Sequence, residues 1–137
     1  MVTGGAGFIG SHTCLSLLKM GYKVTVLDSF LNSNPSSIKR VKKIANTIEY
    51  KNNINISLVE GDITDLQAVS KLFKRSFNSG SPISAVIHFA GLKSVSESLS
   101  NPKKYWDINV GGSLNLFNVM DSFNCKKIIF SSSATVY

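Results

Sequence analysis

The chain has 137 residues, of which 43% are hydrophobic and 17% charged, and its formal net charge is +7. This length allows one domain with a hydrophobic core and is too short for two ordinary domains. No apolar run approaches the roughly 20 residues of a membrane span, so we expect a soluble protein without a membrane partner. The 15 basic residues are dispersed along the chain, which argues against nucleic acid as a partner.

A glycine-rich turn opens the chain, in residues 2–11 (VTGGAGFIGS). Its spacing, G-x-x-G-x-x-G, differs by one position from the simplest dinucleotide-binding fingerprint. Gly4 allows a tight reversal, Gly7 allows bare backbone to approach a diphosphate, and Gly10 allows a helix to pack closely. A helix beginning near Phe8 then points free N–H groups at the anion. The alternative is a glycine-rich turn of another α/β protein.

An acidic residue follows the second predicted strand. Apolar spacing predicts a helix over residues 8–20, and Gly21 supplies a left-handed end. Residues 22–27 are predicted as a strand that ends in Asp28, whose carboxylate suits the two hydroxyls of an adenosine ribose and repels a 2′-phosphate. We expect His12, in the first helix, to pack or cap rather than take part in chemistry.

The loop after the second predicted strand and the third predicted strand supply further candidate residues. Residues 29–35 form a loop on the adenosine side, or a plain connection, and a helix runs from Pro35 to about residue 48 with its basic residues on a solvated face. After a surface loop at 49–53, a strand at 54–59 delivers Asp62 and Ile63, which suit the adenine amine and ring. Thr64 or Asp65 is expected to cap the following helix.

The apolar run at residues 84–90 is typical of a central strand in a parallel sheet. In a doubly wound sheet of order 3-2-1-4-5, the first and fourth strands flank the ligand crevice. Ala90 and Gly91 would lie at that crevice, and Lys93 would add a cation there, unless it is an ordinary surface lysine. We expect His88 to be a satisfied core histidine rather than a proton carrier.

The last third of the chain contains a long helix and a fifth strand. After a short helical turn at 94–100, a helix is predicted over residues 102–123, with an apolar stripe of Trp106, Val110, Leu114, Phe117 and Met120. Two adjacent glycines at 111 and 112 indicate close packing on a neighbour. Asn109 either braces the loop after strand 4 or is a surface asparagine.

Three serines follow the predicted fifth strand at 127–130. Ser131, Ser132 and Ser133 would stand beside the nicotinamide ring of a bound dinucleotide, or form a serine-rich turn. Cys14 and Cys125 are predicted to be buried, reduced thiols of a cytosolic protein. The sequence contains no hydrolase triad and no metal-binding cluster.

Three motifs together resemble the UDP-glucose 4-epimerases of the extended short-chain dehydrogenase/reductase family. They are residues 3–13 (TGGAGFIGSHT), 88–93 (HFAGLK) and 130–137 (FSSSATVY). The resemblance runs the whole length and implies a Rossmann-like, doubly wound α/β fold with helices on both faces. It also implies a tightly held NAD that takes hydride from C4 of a UDP-sugar and returns it to the other face, interconverting UDP-glucose and UDP-galactose.

Site roles follow from this resemblance, position by position. Ser133 matches the catalytic serine that hydrogen-bonds the sugar C4 oxygen. The expected cofactor contacts are Gly4, Gly7, Phe8, Ile9, Gly10, Asp28, Ser29, Phe30, Asn32, Ser33, Asp62, Ile63, Phe89, Ala90, Gly91, Lys93, Asn109 and Ser131.

One part of the family pattern is missing from the chain. The family's general base lies in Tyr-x-x-x-Lys after strand 5, and the 137 residues contain no such motif. We therefore expect residues 1–137 to be an NAD-binding domain, incomplete at both ends and without the UDP-sugar domain. The parent protein is expected to be a cytoplasmic, homodimeric epimerase, and the 137-residue piece to be inactive.

Two alternative functions compete with this interpretation. A nucleotide-sugar 4,6-dehydratase of the same fold would carry Asp-Glu after the strand-5 hydroxyl, where this chain has Ala134 and Thr135. A non-catalytic NAD-binding sensor would keep the glycine turn but would not need Ser133 or Lys93.

Overall fold

A parallel five-stranded sheet organises the computed structural model, which describes residues 1–47 and 55–132. Its strand order is 3-2-1-4-5, so the predicted order and doubly wound fold class are confirmed. The strands are β1 (Val2–Thr3), β2 (Val24–Asp28), β3 (Ile56–Glu60), β4 (Ala85–His88) and β5 (Lys127–Phe130).

Helices cover both faces of the sheet. They are α1 (Phe8–Lys19), α2 (Ser36–Thr47), α3 (Leu66–Asn78), α4 (Val95–Ser100), α5 (Pro102–Trp106) and α6 (Gly112–Ser122), with a π-helical turn (Asp107–Gly111) between α5 and α6. Within the described residues, no helix is long and apolar enough to cross a membrane.

Two separate cores lie on the two faces of the sheet. One is formed by α1, α2 and one side of the strands, and it contains Val24 and Val26 of β2. The other is formed by α3, α6 and the opposite side, and it contains Leu27 of β2. Because successive side chains of a strand point to opposite faces, β2 contributes to both cores.

Several predicted boundaries shift in the structure. Tyr22 does not belong to β2, because its N–H donates to the carbonyl of Leu17 in a turn where Gly21 has a φ of +81°. Strand β4 ends at His88 rather than at residue 90. Helix α2 is described only to Thr47 and β3 begins at Ile56, so the predicted loop at 49–53 and the outer ends of these two predictions lie outside the described residues.

The long helix predicted over 102–123 is present from Pro102 to Ser122, but it contains a π-helical turn. The π-helical turn holds one extra residue in the hydrogen-bond ladder, which rotates α6 relative to α5. The predicted apolar stripe lies largely outside the core, with the exception of Met120: Trp106, Leu114 and Phe117 are 68%, 54% and 39% exposed. The face that packs on the core consists of Gly112, Ser113, Leu116, Val119 and Met120.

The paired glycines behave differently from one another. A Cβ at Gly112 would lie 2.7 Å from Cγ1 of the buried Ile63, so the predicted close packing is confirmed there. A Cβ at Gly111 would meet open space, so the prediction is wrong for that residue. The pair therefore marks one tight contact, between α6 and the loop after β3.

Candidate functional site

The glycine turn is a compact reversal between β1 and α1. Gly4 has a φ of +64°, and its carbonyl accepts the N–H of Gly7 at 3.1 Å. A Cβ at Gly10 would lie 2.3 Å from that same carbonyl oxygen, and a Cβ at Gly4 would lie 2.7 Å from the amide nitrogen of Ala90. Gly4 and Gly10 therefore allow the turn to pack against both α1 and the loop after β4.

The amino terminus of α1 presents donors without acceptors. Gly7 is the N-cap and provides no side-chain cap, and no acidic residue lies in the first turn. Among the described residues, no group accepts the N–H of Phe8, Ile9 or Gly10. By contrast, the Asp65 carboxylate caps α3 at the N–H of Ala68, so Asp65 rather than Thr64 is the cap. The start of α1 is thus able to hold an anion.

Asp28 joins two loops at the carboxyl end of β2. Its side chain is nearly buried, and its Oδ2 accepts the N–H of Ala6 in the glycine turn at 2.8 Å. Its Oδ1 accepts the N–H of Phe30 at 3.0 Å and the hydroxyl of Ser33 at 2.7 Å. The carboxylate has about four lone-pair positions and uses three of them internally. It therefore fixes the turn against the 29–33 loop and keeps little capacity for a ligand.

The 29–33 loop is shaped by the same contacts. Phe30 has a φ of +56°, in the left-handed region, and its N–H bond to Asp28 helps to hold that conformation. Ser29 and Asn32 are exposed, while Ser33 is half-buried. Ser37, at the start of α2, donates its hydroxyl to the carbonyl of Ala6 at 2.7 Å and so ties α2 to the glycine turn.

Asp62 and Ile63 follow β3 at the same edge of the sheet. Asp62 is half-buried, and its Oδ1 accepts the N–H and the hydroxyl of Thr64 at 2.8 and 2.9 Å. Ile63 is 4% exposed and packs in the core against Gly112. The structure thus places the Ile63 side chain beneath the surface, and its predicted contact with adenine stays a prediction.

The loop after β4 faces the glycine turn from the other side. Phe89 and Ala90 are half-buried, and Gly91 is exposed. Asn109 braces this loop, because its Oδ1 accepts the N–H of Leu92 at 2.8 Å and its Nδ2 donates to the carbonyl of Leu92 at 2.9 Å. The bracing role predicted for Asn109 is therefore confirmed.

Lys93 and the serines after β5 lie beyond the carboxyl ends of β4 and β5. Lys93 is exposed and makes no ion pair within the described part of the chain. Ser131 is exposed, and its N–H donates to the carbonyl of His88 at 3.1 Å. Ser133, the predicted catalytic serine, lies outside the described residues, as do Ala134 and Thr135.

His88 and the two cysteines are buried, as predicted. His88 is 2% exposed, and burial lowers its pKa to about 4, so it is neutral at neutral pH. His12 is exposed, its ring centroid lies 4.8 Å from that of Phe8 with the rings tilted by 52°, and its Nδ1 contacts the Phe8 carbonyl. Cys14 and Cys125 are buried and unpaired, and burial raises the pKa of Cys14 to about 12.

Topology brings the predicted site residues into a row. Asp28, Gly4, Ala90 and Ser131 stand at or just beyond the carboxyl ends of β2, β1, β4 and β5, which are successive neighbours in the sheet. Since neighbouring strands are about 4.8 Å apart, three such steps span roughly 14 Å. The row forms an edge long enough for an extended ligand.

Comparison with known proteins identifies the family. A family model described as GDP-mannose 4,6 dehydratase matches residues 1–137, which are the whole chain. The chain belongs to this family. Membership of the GDP-mannose 4,6 dehydratase family agrees with the observed sheet order and with the glycine turn at its centre.

Two proteins with high sequence identity to the chain are UDP-glucose 4-epimerases. The chain is 46% identical over its whole length to the bifunctional UDP-glucose 4-epimerase and UDP-xylose 4-epimerase 1 of Pisum sativum, and 45% identical to the UDP-glucose 4-epimerase of Bacillus subtilis. It spans 37% of the length of each of these relatives. The predicted resemblance to UDP-glucose 4-epimerases is confirmed.

A solved structure shows the same likeness in three dimensions. The crystal structure of UDP-glucose 4-epimerase from Bifidobacterium longum, in complex with NAD⁺ and UDP, matches with a TM-score of 0.86 and 43% sequence identity. The match covers 99% of this chain and 37% of that one. The fold described above is therefore also the fold of the corresponding part of an NAD-containing epimerase.

Sequence reasoning missed several residues of the site. The link from Ser37 to Ala6 spans 31 positions and has no local signal, because a serine near a helix start has many other uses. The contacts of His88 with Thr3 and Ser113 were also missed, because they span 85 and 25 positions and likewise have no local signal. Pro35 indicated where α2 begins but not that this helix contacts the glycine turn.

Proposed function

We propose that this chain is the NAD-binding part of a UDP-glucose 4-epimerase, which interconverts UDP-glucose and UDP-galactose through a 4-keto sugar. The observation that carries the proposal is the 45–46% identity to such enzymes over all 137 residues. The arrangement of the glycine turn, Asp28 and the loop after β4 along one sheet edge supports it. Bound NAD⁺ would accept hydride from C4 of the sugar and return it.

The turn fits the diphosphate of such a cofactor. Three free N–H groups, on Phe8, Ile9 and Gly10, lie at the start of α1, where the helix dipole favours an anion. A side chain at Gly10 would collide with the turn and displace these donors. Gly4 and Gly7 complete the cradle that the backbone provides.

The adenosine end is assigned to loops joined by Asp28. Ser29, Phe30, Asn32 and Ser33 would surround the ribose, and Asp62 with Ile63 would contact adenine. Asp28 already accepts three hydrogen bonds, so its main part here is to hold these loops at a fixed separation. Its remaining lone pair suits a ribose hydroxyl, and its charge repels a 2′-phosphate.

The reactive end is assigned to the loops after β4 and β5. Phe89, Ala90, Gly91 and Lys93 would line the path of the diphosphate and nicotinamide ribose, with Asn109 and Ser131 beside them. Ser133 would hydrogen-bond the C4 oxygen of the sugar and help to pass its proton to a base. We propose that this base is the tyrosine of a Tyr-x-x-x-Lys motif outside these 137 residues.

The same comparison and the sequence together favour epimerase over dehydratase chemistry. The family model takes its description from a dehydratase, whereas the similar relatives are epimerases. Dehydration needs an additional acid and base beside the hydride site. The chain has Ala134 and Thr135 where dehydratases of this fold would carry Asp-Glu.

The partners of the whole protein are also proposals. We propose a cytoplasmic homodimer that binds UDP-sugars, with a second copy covering the exposed face of Trp106, Leu114 and Phe117. This face is apolar and lies outside both cores. Burying it in a dimer would remove apolar area from water, at about 25 cal/mol per Å².

Turnover of UDP-glucose by the full-length protein tests the function. We expect UDP-galactose as the product, and no turnover by residues 1–137 alone, because the base motif is not among them. The products are separated by chromatography of the nucleotide sugars. A 4-keto-6-deoxy product would identify a dehydratase, no product would favour a sensor, and turnover by the short chain would refute the assignment of the base.

A further inference from the structure

The loop after β4 is held from two distant elements. Asn109, in the π-helical turn, makes two hydrogen bonds to the backbone of Leu92. Thr3, at the end of β1, lies with its Oγ1 3.4 Å from the amide nitrogen of Ala90. The residues between these two points, 90–92, belong to the segment assigned above to the cofactor path.

A buried histidine connects these two attachments. The Nδ1 of His88 lies 2.5 Å from the hydroxyl of Thr3, and its Nε2 lies 3.1 Å from the hydroxyl of Ser113. Ser113 in turn lies 2.5 Å from the carbonyl oxygen of Asn109. His88 and Thr3 are at most 2% exposed and Ser113 is 6% exposed, so water does not compete strongly for these bonds.

The series of hydrogen bonds from Thr3 through His88 and Ser113 to Asn109 allows only one assignment of donors and acceptors. The Asn109 carbonyl can only accept, so the single hydroxyl proton of Ser113 goes to it. Ser113 then accepts from Nε2 of His88, which must carry the ring proton. Since burial lowers the pKa of His88 to about 4, the neutral ring has no second N–H, and Nδ1 accepts from Thr3. Thr3 is left with lone pairs for the N–H of Ala90.

We propose that His88, as the Nε2–H tautomer, is a positioning residue that couples β1 to the π-helical turn and so sets the conformation of the 90–92 loop. This inference rests on the proposed NAD site, because that site gives the loop its function. His88 does not touch the reacting atoms. It acts through Thr3 on Ala90 and through Ser113 and Asn109 on Leu92.

Variants at the two hydrogen-bond partners of His88 test the coupling. Ser113→Ala removes one partner of His88 and Thr3→Val removes the other, and each is expected to weaken NAD⁺ binding by about threefold to tenfold. Because both act through one ring, the double variant should lose less than the product of the two single losses. The dissociation constant is measured by calorimetry on cofactor-free full-length protein. Thr3→Ser, which keeps the hydroxyl, should restore binding.

Ser122→Ala is the matched control. Ser122 lies on the same helix, and its hydroxyl donates to the Asn118 carbonyl at 2.8 Å, which is the same type of bond that Ser113 makes to Asn109. Ser122 is exposed and does not contact His88, so this variant should bind NAD⁺ as the wild type does. Equal affinities for Ser113→Ala and Ser122→Ala, or losses that multiply independently, would overturn the inference.

Nitrogen-15 NMR of His88 provides a readout that does not depend on the folding of any variant. The wild-type protein should show the Nε2–H tautomer, and an Nδ1–H tautomer would overturn the proposal. If the wild-type protein binds no NAD⁺ at all, the proposed function fails. Failure of the coupling alone would leave normal wild-type binding, so the two failures are distinguishable.

Discussion

At the scale of single residues, Asp28 shows how a residue predicted to bind a ligand can hold the structure together. Its carboxylate accepts from the glycine turn on one oxygen and from the 29–33 loop on the other. The position of Asp28 after a predicted strand was readable from the sequence. Its partners were not, because they depend on how the turn and the loop approach each other in space.

Acid should weaken folding through His88. Burial lowers the pKa of this residue to about 4, whereas in an unfolded chain it titrates near about 6.5. The unfolded state therefore binds a proton first, so stability is full above about pH 6.5 and falls progressively towards pH 4, by roughly 3 kcal/mol for a shift of this size. Urea unfolding of the full-length protein at a series of pH values measures the slope.

His88→Asn is the comparison for this pH dependence. Without the imidazole, the contribution between about pH 6.5 and 4 should disappear, while the contributions of the carboxylates remain. If the unfolding free energy falls as much between these two pH values in His88→Asn as it does in the wild type, His88 is not the group that causes the loss of stability in acid.

At the scale of elements, helices and strands were predictable where the apolar pattern was strong. The five strands and the helices of the first two units follow from periodicity and glycine positions, with shifts of one or two residues. The π-helical turn was not predicted, and the hydrogen bonds of its segment join residues far apart in sequence: Asn109 bonds to Leu92, and Ser113 bonds to His88. The apolar stripe was predictable from spacing, whereas the face that packs on the core, which includes Gly112 and Ser113, was not.

Alanine at the two adjacent glycines should have opposite effects on stability. Gly111→Ala should stabilise the protein by about 0.5–1 kcal/mol, because helix propensity improves and the new Cβ meets open space. Gly112→Ala should destabilise it. Overpacking against the buried Ile63 costs about 1–3 kcal/mol, which exceeds the stabilisation from the better helix propensity of alanine.

Thermal unfolding of the two variants in the full-length protein measures this contrast. Each variant serves as the control for the other, since the substitution and the sequence neighbourhood are the same. A lower melting temperature for Gly111→Ala, or a higher one for Gly112→Ala, would contradict the packing described for α6.

At the scale of the whole molecule, the sheet order explains why motifs that are distant in sequence lie along one edge of the sheet. The glycine turn, Asp28, the loop after β4 and Ser131 come from four strands that are separated in sequence and adjacent in the sheet. That order was predictable from the alternation of strands and helices. The depth at which each side chain lies was not, as the buried Ile63 shows.

The exposed surfaces of the molecule follow from the same architecture. Strand β5 lies at one end of the sheet, and its Ile129 and Phe130 are 65% and 54% exposed. The outer face of α6 adds Leu114 and Phe117. Phe117 and Phe130 lie with their ring centroids 6.5 Å apart, so the exposed apolar side chains of α6 and β5 are neighbours on the surface.

If this sheet edge holds one NAD molecule, the purified full-length protein should contain the cofactor. The protein is denatured, and the released nucleotide is identified by absorbance and mass. We expect about one NAD(H) per chain and no NADP(H), because the charge of Asp28 disfavours a 2′-phosphate. A protein that releases no dinucleotide and binds none when NAD⁺ is added, or that carries NADP(H) instead, would contradict it.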